Sequence, residues 1–223
     1  MKWLQYVYYF FRSVYYRGPL NTFKLLIYEG KYEKELGINT HSIVNLDKLT
    51  LAGLQSKENH HYQGASYYIL YKVFKLLPNH LKNKTLIDFG CGKGRALFVA
   101  EQCGFSKLVG VDIAKELIEN ANENKLVYNL KHQESTISFL FEDATRFEIS
   151  DDTEVCYFFN PFGEVVLQSV IDNLKHSLIQ NPRTIYCIYL NPKHKHVFER
   201  NGFKTFQSIY NWRYLEGIIY SIN

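Results

Sequence analysis

The chain has 223 residues, 46% of them hydrophobic and 22% charged, a balance suited to a soluble globular protein with a substantial core. Its formal charge of +4 carries no strong nucleic-acid signal, since that function shows as clustered Lys and Arg at a higher isoelectric point. Its 4 cysteines contain no C-x-x-C pair, which argues against a disulfide framework and fits a reducing cytoplasm. No apolar run approaches the roughly 20 residues of a membrane span, and the N-terminus lacks a signal-peptide cleavage pattern.

In chain order, residues 1–80 read as a helical, aromatic-rich appendage and 81–223 as the main domain. Within the appendage, residues 1–28 combine Trp3, Tyr6, Tyr8, Tyr9, Phe10, Phe11, Tyr15 and Tyr16 with Lys2, Arg12 and Arg17. The apolar positions encircle most of a helix, so packing against the main domain or a partner competes with peripheral attachment to a membrane. A helix is expected to end near Leu76.

From Thr85 onward, short apolar strands alternate with helical patterns, the signature of a parallel α/β sheet. Strands are expected at Thr85–Phe89, Lys107–Val111, Thr136–Phe141, Val155–Phe159 and Thr184–Leu190. Helices are expected at Arg95–Cys103, with Gly104 as C-cap, and at Ala114–Tyr128, Glu164–Leu178 and Pro192–Arg200. Two terminal strands, Phe203–Ile209 and Gly217–Ile222, read as a hairpin.

The most informative segment is Asp88-Phe89-Gly90-Cys91-Gly92-Lys93-Gly94-Arg95, lying between a predicted strand and a predicted helix. Glycines let the backbone turn sharply and leave room for a ligand against main-chain atoms at the strand's carboxyl end. The pattern is G-x-G-x-G with an acid two positions earlier, not the G-x-x-G continuation of a dinucleotide fingerprint. An aspartate there repels pyrophosphate but suits a cation such as the ammonium or sulfonium of S-adenosylmethionine. Asp112 follows the second strand at the position from which a carboxylate takes ribose hydroxyls, and Glu142-Asp143-Ala144 follows the third, placed to read adenine.

In these residues the chain resembles the class I S-adenosylmethionine-dependent methyltransferases from about Lys84 to Asn223. The resemblance implies an α/β Rossmann-like fold, a mixed seven-stranded sheet with helices on both faces and a C-terminal antiparallel hairpin. It implies S-adenosylmethionine as cofactor and S-adenosylhomocysteine as product. Asp88, Gly90 and Gly92 would hold the methionine part, Asp112 the ribose and Asp143 the adenine, with neighbouring Cys91, Ile113 and Ala144 completing the candidate set.

Asn160-Pro161-Phe162 after the fourth strand is the candidate catalytic segment, with Asn160 also beside the cofactor. It resembles the Asn/Asp-Pro-Pro-Tyr/Phe motif of amino-group methyltransferases, although one proline is absent. An asparagine carbonyl can orient an N–H nucleophile and an aromatic ring can shelter a cation. Tyr62 and Gln63 are expected to form a lid over the cofactor. Paired His60 and His61 lack neighbouring ligands at metal spacing, so no metal is expected.

The expected activity is methyl transfer to an unidentified acceptor, with nitrogen of a protein lysine or small-molecule amine favoured. The alternatives are O-methylation of a lipid or glycan precursor at the membrane surface, a nonenzymatic cofactor-binding module, and a nicotinamide oxidoreductase. The expected location is cytoplasmic, with peripheral membrane association left open.

Overall fold

The computed structural model describes residues 2–41 and 64–223. Its elements are α1 (Lys2–Arg17), α2 (Pro19–Leu36), α3 (Tyr67–Leu76), β1 (Thr85–Phe89), α4 (Arg95–Gln102), β2 (Lys107–Asp112) and α5 (Lys115–Asn129). There follow β3 (Ser138–Phe141), β4 (Thr153–Phe159), α6 (Glu164–Gln180), β5 (Ile185–Leu190), α7 (Lys195–Arg200), β6 (Lys204–Asn211) and β7 (Tyr214–Ile222). A short 3₁₀ turn at Asn79–Asn83 leads into β1.

The strands form one seven-stranded sheet in the order β3-β2-β1-β4-β5-β7-β6. β1 to β5 are parallel, while β7 runs antiparallel between β5 and β6 and pairs Ile185 with Ile222 through to Leu190 with Gly217. The mixed sheet and terminal hairpin expected from the resemblance are therefore present. Order reverses between β1 and β4, opening a crevice at their carboxyl ends where sheets of this kind take ligands.

Central strands are buried on both faces, hence their nearly continuous apolar runs. Leu86, Val155 and Tyr157 point into one layer with α3 and α4, joined there by Leu36 at the end of α2. Ile87, Phe89, Cys156 and Phe158 point into the other, against α6 and α7. The two-residue alternation along each strand thus feeds two cores.

Several boundaries differ from the sequence reading for local reasons. α7 starts at Lys195, not Pro192, because Asn191 is left-handed (φ 49°) and Lys193 N–H bonds back to its carbonyl at 2.8 Å. β3 starts at Ser138 because Ser135 and the Thr136 N–H are held by Glu101 at 2.9 and 3.1 Å. The hairpin extends to a tight Trp212-Arg213 turn, with Trp212 at φ 57°.

α1 and α2 form a helical hairpin. Gly18 (φ 79°) makes the turn and Pro19 opens α2. Arg17 ties the hairpin to β7 through Glu216 at 2.5 Å, and Arg213 N–H donates to Tyr16 O at 3.1 Å.

Candidate active site

The Gly-rich loop is built by backbone demands. Gly90 has φ 79°, and a Cβ there would lie 2.5 Å from Pro161 Cβ, so glycine alone fits between β1 and the turn after β4. Gly90 and Cys91 N–H groups both donate to Val111 O, at 2.8 and 3.1 Å, which folds the loop over the end of β2. Asp112 completes the fastening: Oδ2 accepts Gly92 N–H at 2.8 Å and Oδ1 accepts Ala114 N–H at 2.9 Å.

Asp112 thus has a structural task besides the ribose contact expected of it, and each oxygen keeps lone-pair capacity for a ligand. Burial pushes its carboxyl up to about 6, opposed by the N–H groups of Ala114, Gly92 and Ile113. Asp88 differs. It is 2% exposed, and among the described residues no group hydrogen-bonds its carboxylate. Burial, and secondarily the Asp112 charge, raise its carboxyl well above the usual range.

These groups surround a cavity of about 370 Å³ at the carboxyl ends of β1, β2 and β4. It brings together Asp88, Gly90, Cys91, Asp112, Ile113, Asp143, Ala144, Asn160, Pro161 and Phe162. Gly92 does not line it; its amide serves Asp112. Asp143 lines it while Oδ1 accepts Thr145 N–H and Oγ at 2.9 and 2.8 Å, leaving Oδ2 for a ligand. Tyr62, Gln63, His60 and His61 lie outside the described residues.

Asn160 ends β4 in a left-handed conformation (φ 44°), which asparagine tolerates better than most residues. Its Oδ1 accepts the Tyr189 hydroxyl at 3.0 Å, and that hydroxyl oxygen accepts His194 N–H at 3.2 Å. One of the carbonyl's two acceptor directions is therefore spent inside the protein; the second and the amide N–H groups remain. The internal bond to Tyr189 is not visible in the sequence, which offers Asn160 to the acceptor and the cofactor alone.

Asn191-Pro192 repeats the Asn160-Pro161 turn at the end of the adjacent strand, again left-handed, and Asn191 also lines the cavity. The signal was an Asn-Pro pair at a strand end, read there only as a helix start.

Arg95, the first residue of α4, was also passed over. It is 5% exposed and lines the cavity. Its guanidinium donates to Thr40 Oγ at 2.7 Å, Glu29 at 2.8 Å, Ala65 O at 3.0 Å and Glu33 at 3.4 Å, and lies 4.4 Å from the Tyr67 ring centre. Burial by itself would raise the Glu33 carboxyl, but hydrogen bonds from Tyr67 and Thr40 and the Arg95 charge outweigh it and hold it below its usual value. α2 and the residues after it are in this way wired to the residue that follows the Gly-rich loop.

Beside this cavity lies a second, of about 470 Å³, sharing Gly64, Ala65, Arg95, Phe159 and Asn191 with the first. Leu25, Leu26 and Glu29 of α2 and Tyr214 and Glu216 of β7 complete much of its wall. A ligand in each would meet near Phe159 and Asn191.

The Asp88 carboxylate, buried and without a hydrogen-bond donor among the described residues, fits a cationic ligand, and the cavity has the size of a small-molecule site. S-adenosylmethionine matches on both counts. A family model described as a methyltransferase domain matches residues 80–202. A ribosomal protein L11 methyltransferase from Tolumonas auensis is 43% identical over 44 residues, 20% of this chain and 15% of that protein. Its counterpart from Burkholderia multivorans is 37% identical over 41 residues, 18% and 14% of the respective chains. These matches span less than a quarter of the curated relatives. Among solved structures, magnesium protoporphyrin IX methyltransferase from Synechocystis PCC 6803, with bound S-adenosylmethionine, aligns at TM-score 0.48 and 16% identity, covering 70% of this chain and 77% of that one. Ribosomal protein L11 methylase from Lactobacillus delbrueckii subsp. bulgaricus aligns at TM-score 0.47 and 17% identity, covering 70% and 75%. With the matched family model spanning more than half of the sequence, the chain belongs to the methyltransferase-domain family.

Proposed function

We propose that this chain is a class I S-adenosylmethionine-dependent methyltransferase that acts on an amine nitrogen, that of a protein lysine or a small-molecule amine. The bound cofactor supplies an electrophilic methyl group on a positively charged sulfur. Asp88 would hold the cofactor's ammonium, Asp112 the ribose and Asp143 the adenine amino group. The cavity walls would exclude water and align the two reactants, the main requirement of an in-line displacement.

The observation that carries the nitrogen reading is the Asn160 carboxamide. Tyr189 fixes its orientation, and the carbonyl's remaining lone pair can accept one N–H of an amine and so aim the nitrogen without removing a proton. The acceptor would approach through the second cavity, whose wall carries Glu29 and Glu216. The short similarity to ribosomal protein L11 methyltransferases supports a protein acceptor.

The test is transfer of labelled methyl to a panel of amine and alcohol acceptors, proteins included, by wild type and Asn160→Ala. The expected result is transfer to an amine and a kcat loss of about 10²-fold in the variant, with cofactor affinity within about threefold of wild type, as for a lost orienting contact. Transfer to alcohols alone, or an Asn160→Ala variant with unchanged kcat, refutes the nitrogen reading.

A further inference from the structure

The α1–α2 hairpin turns one apolar face outward. Tyr8, Phe11 and Tyr15 on α1 are 61%, 64% and 63% exposed, and with Arg12 they form a stripe at helical spacing. On α2 the same spacing joins Leu20, Phe23 and Ile27, at 78%, 63% and 49%, with exposed Lys24 and Lys31. Between the helices, where apolar packing would be expected, Ser13 Oγ and Thr22 Oγ are hydrogen-bonded at 3.0 Å, and Thr22 is buried. On α2, Leu25, Tyr28 and Tyr32 pack inward against the core, while Leu20, Phe23 and Ile27 face water beside the exposed rings of α1, and so wide an exposed apolar face implies a partner.

Charge is sorted by the same geometry. Residues 1–28 contain no acid, and their cations are Lys2, Arg12, Arg17 and Lys24. Two of the three acids of α2, Glu29 and Glu33, pair with Arg95, and Arg17 is taken up by Glu216. Arg12, Lys24 and Lys31 are exposed, Arg12 near the exposed Tyr16 ring and the two lysines near the half-buried rings of Tyr68 and Tyr32. Glu35 in the last turn is the acid left exposed. Exposed aromatic rings interleaved with cations, with the acids withdrawn, complement a surface that is apolar beneath a negatively charged layer.

We infer that the α1–α2 hairpin docks this methyltransferase onto an anionic lipid bilayer, with the aromatic stripes at headgroup depth and Arg12, Lys24 and Lys31 against the lipid phosphates and carboxylates. Attachment is peripheral: no helix among the described residues is long and apolar enough to cross a membrane. Leu26, three residues after Phe23 and 57% exposed, also lines the second cavity, so docking sets the mouth of that cavity at the membrane interface. The inference rests on this surface alone and does not use the choice of acceptor atom.

The test is flotation of the full chain with phosphatidylcholine vesicles, with and without phosphatidylserine, at low and high salt. The expected result is binding that is at least ~10-fold stronger to the phosphatidylserine vesicles and weakened by salt. Phe11→Ser with Phe23→Ser, both at exposed positions, should weaken it a further ~10-fold or more while S-adenosylmethionine affinity stays unchanged. Arg12→Glu with Lys24→Glu should abolish the preference for phosphatidylserine. Failure of folded, cofactor-binding wild type to float with anionic vesicles overturns the inference, as does binding indifferent to both double variants. Concentration-dependent self-association abolished by Phe11→Ser with Phe23→Ser also overturns it and assigns the face to a second copy of the chain.

Discussion

Replacing Asp88 with asparagine should move cofactor affinity and ligand-free stability in opposite directions. The side chain is 2% exposed, and no donor among the described residues offsets its charge. Its carboxyl is raised in the fold, so the stability it contributes is complete below the ordinary carboxylate pKa and is lost as pH rises through the folded value. At alkaline pH the ionised group is therefore a cost that Asp88→Asn removes, and the variant's melting temperature should exceed wild type by a margin that grows with pH. The cofactor's ammonium would meanwhile lose its buried counter-charge. Truncating one partner of a buried charge pair costs about 2 to 4 kcal/mol, a weakening of roughly 30- to 1000-fold. Calorimetric titration with S-adenosylmethionine reads the affinity, and thermal melts from pH 5 to pH 9 read the stability. Unchanged affinity would remove Asp88 from the cofactor site, and loss of affinity together with loss of stability at every pH would make it a structural residue instead.

Four further outcomes follow from neighbouring groups. The Asp112 carboxyl, pushed up to about 6 by burial, favours the protonated folded state, so ligand-free stability should fall as pH rises from about 4 through about 6, and Asp112→Asn should flatten that slope in thermal melts. Because a cationic ligand favours ionised Asp88 and Asp112, S-adenosylmethionine should bind more tightly from pH 5 to pH 7.5 and release protons, measured by calorimetry in buffers of different ionisation enthalpy; uptake of protons would contradict the assignment. Gly90→Ala meets both a positive φ and the Pro161 side chain and should cost about 1 to 3 kcal/mol in chemical denaturation while abolishing cofactor binding. Arg95→Met strands the Glu33 carboxylate and should destabilise the fold by about 3 to 5 kcal/mol, with proteolysis of α1 and α2 at lower denaturant than wild type; a variant as stable as wild type would show that the ion cluster does not hold the appendage.

Much of the architecture was legible locally. Strand and helix periods, the Gly-rich turn after Phe89 and the Pro161 stop depend on neighbouring residues, and a sheet of buried parallel strands writes itself as short apolar runs separated by helical patterns. The acids at strand ends were visible for the same reason, and the fold brings Asp88, Asp112 and Asp143 around one cavity because parallel strands end on one side of the sheet.

What the tertiary structure alone decided are relations between distant residues. Arg95 reads as an ordinary helix start until Glu29 and Glu33, more than 60 positions earlier, are folded onto it. Asn160 looks wholly available to substrate and cofactor until Tyr189, 29 positions later, claims part of its carbonyl. The second cavity exists only where α2 meets β5 and β7. The aromatic composition of residues 1–28 is equally compatible with a buried or an outward-facing helix pair; the Ser13–Thr22 contact and the pairing of Glu29 and Glu33 with buried Arg95 select the outward one. Local sequence therefore determined the elements and the order of the cofactor motif, because hydrogen bonding and side-chain period act over a few residues. Charge pairing, cavity shape and the direction of an apolar face depend on which surfaces meet, and only packing of the whole chain settles that.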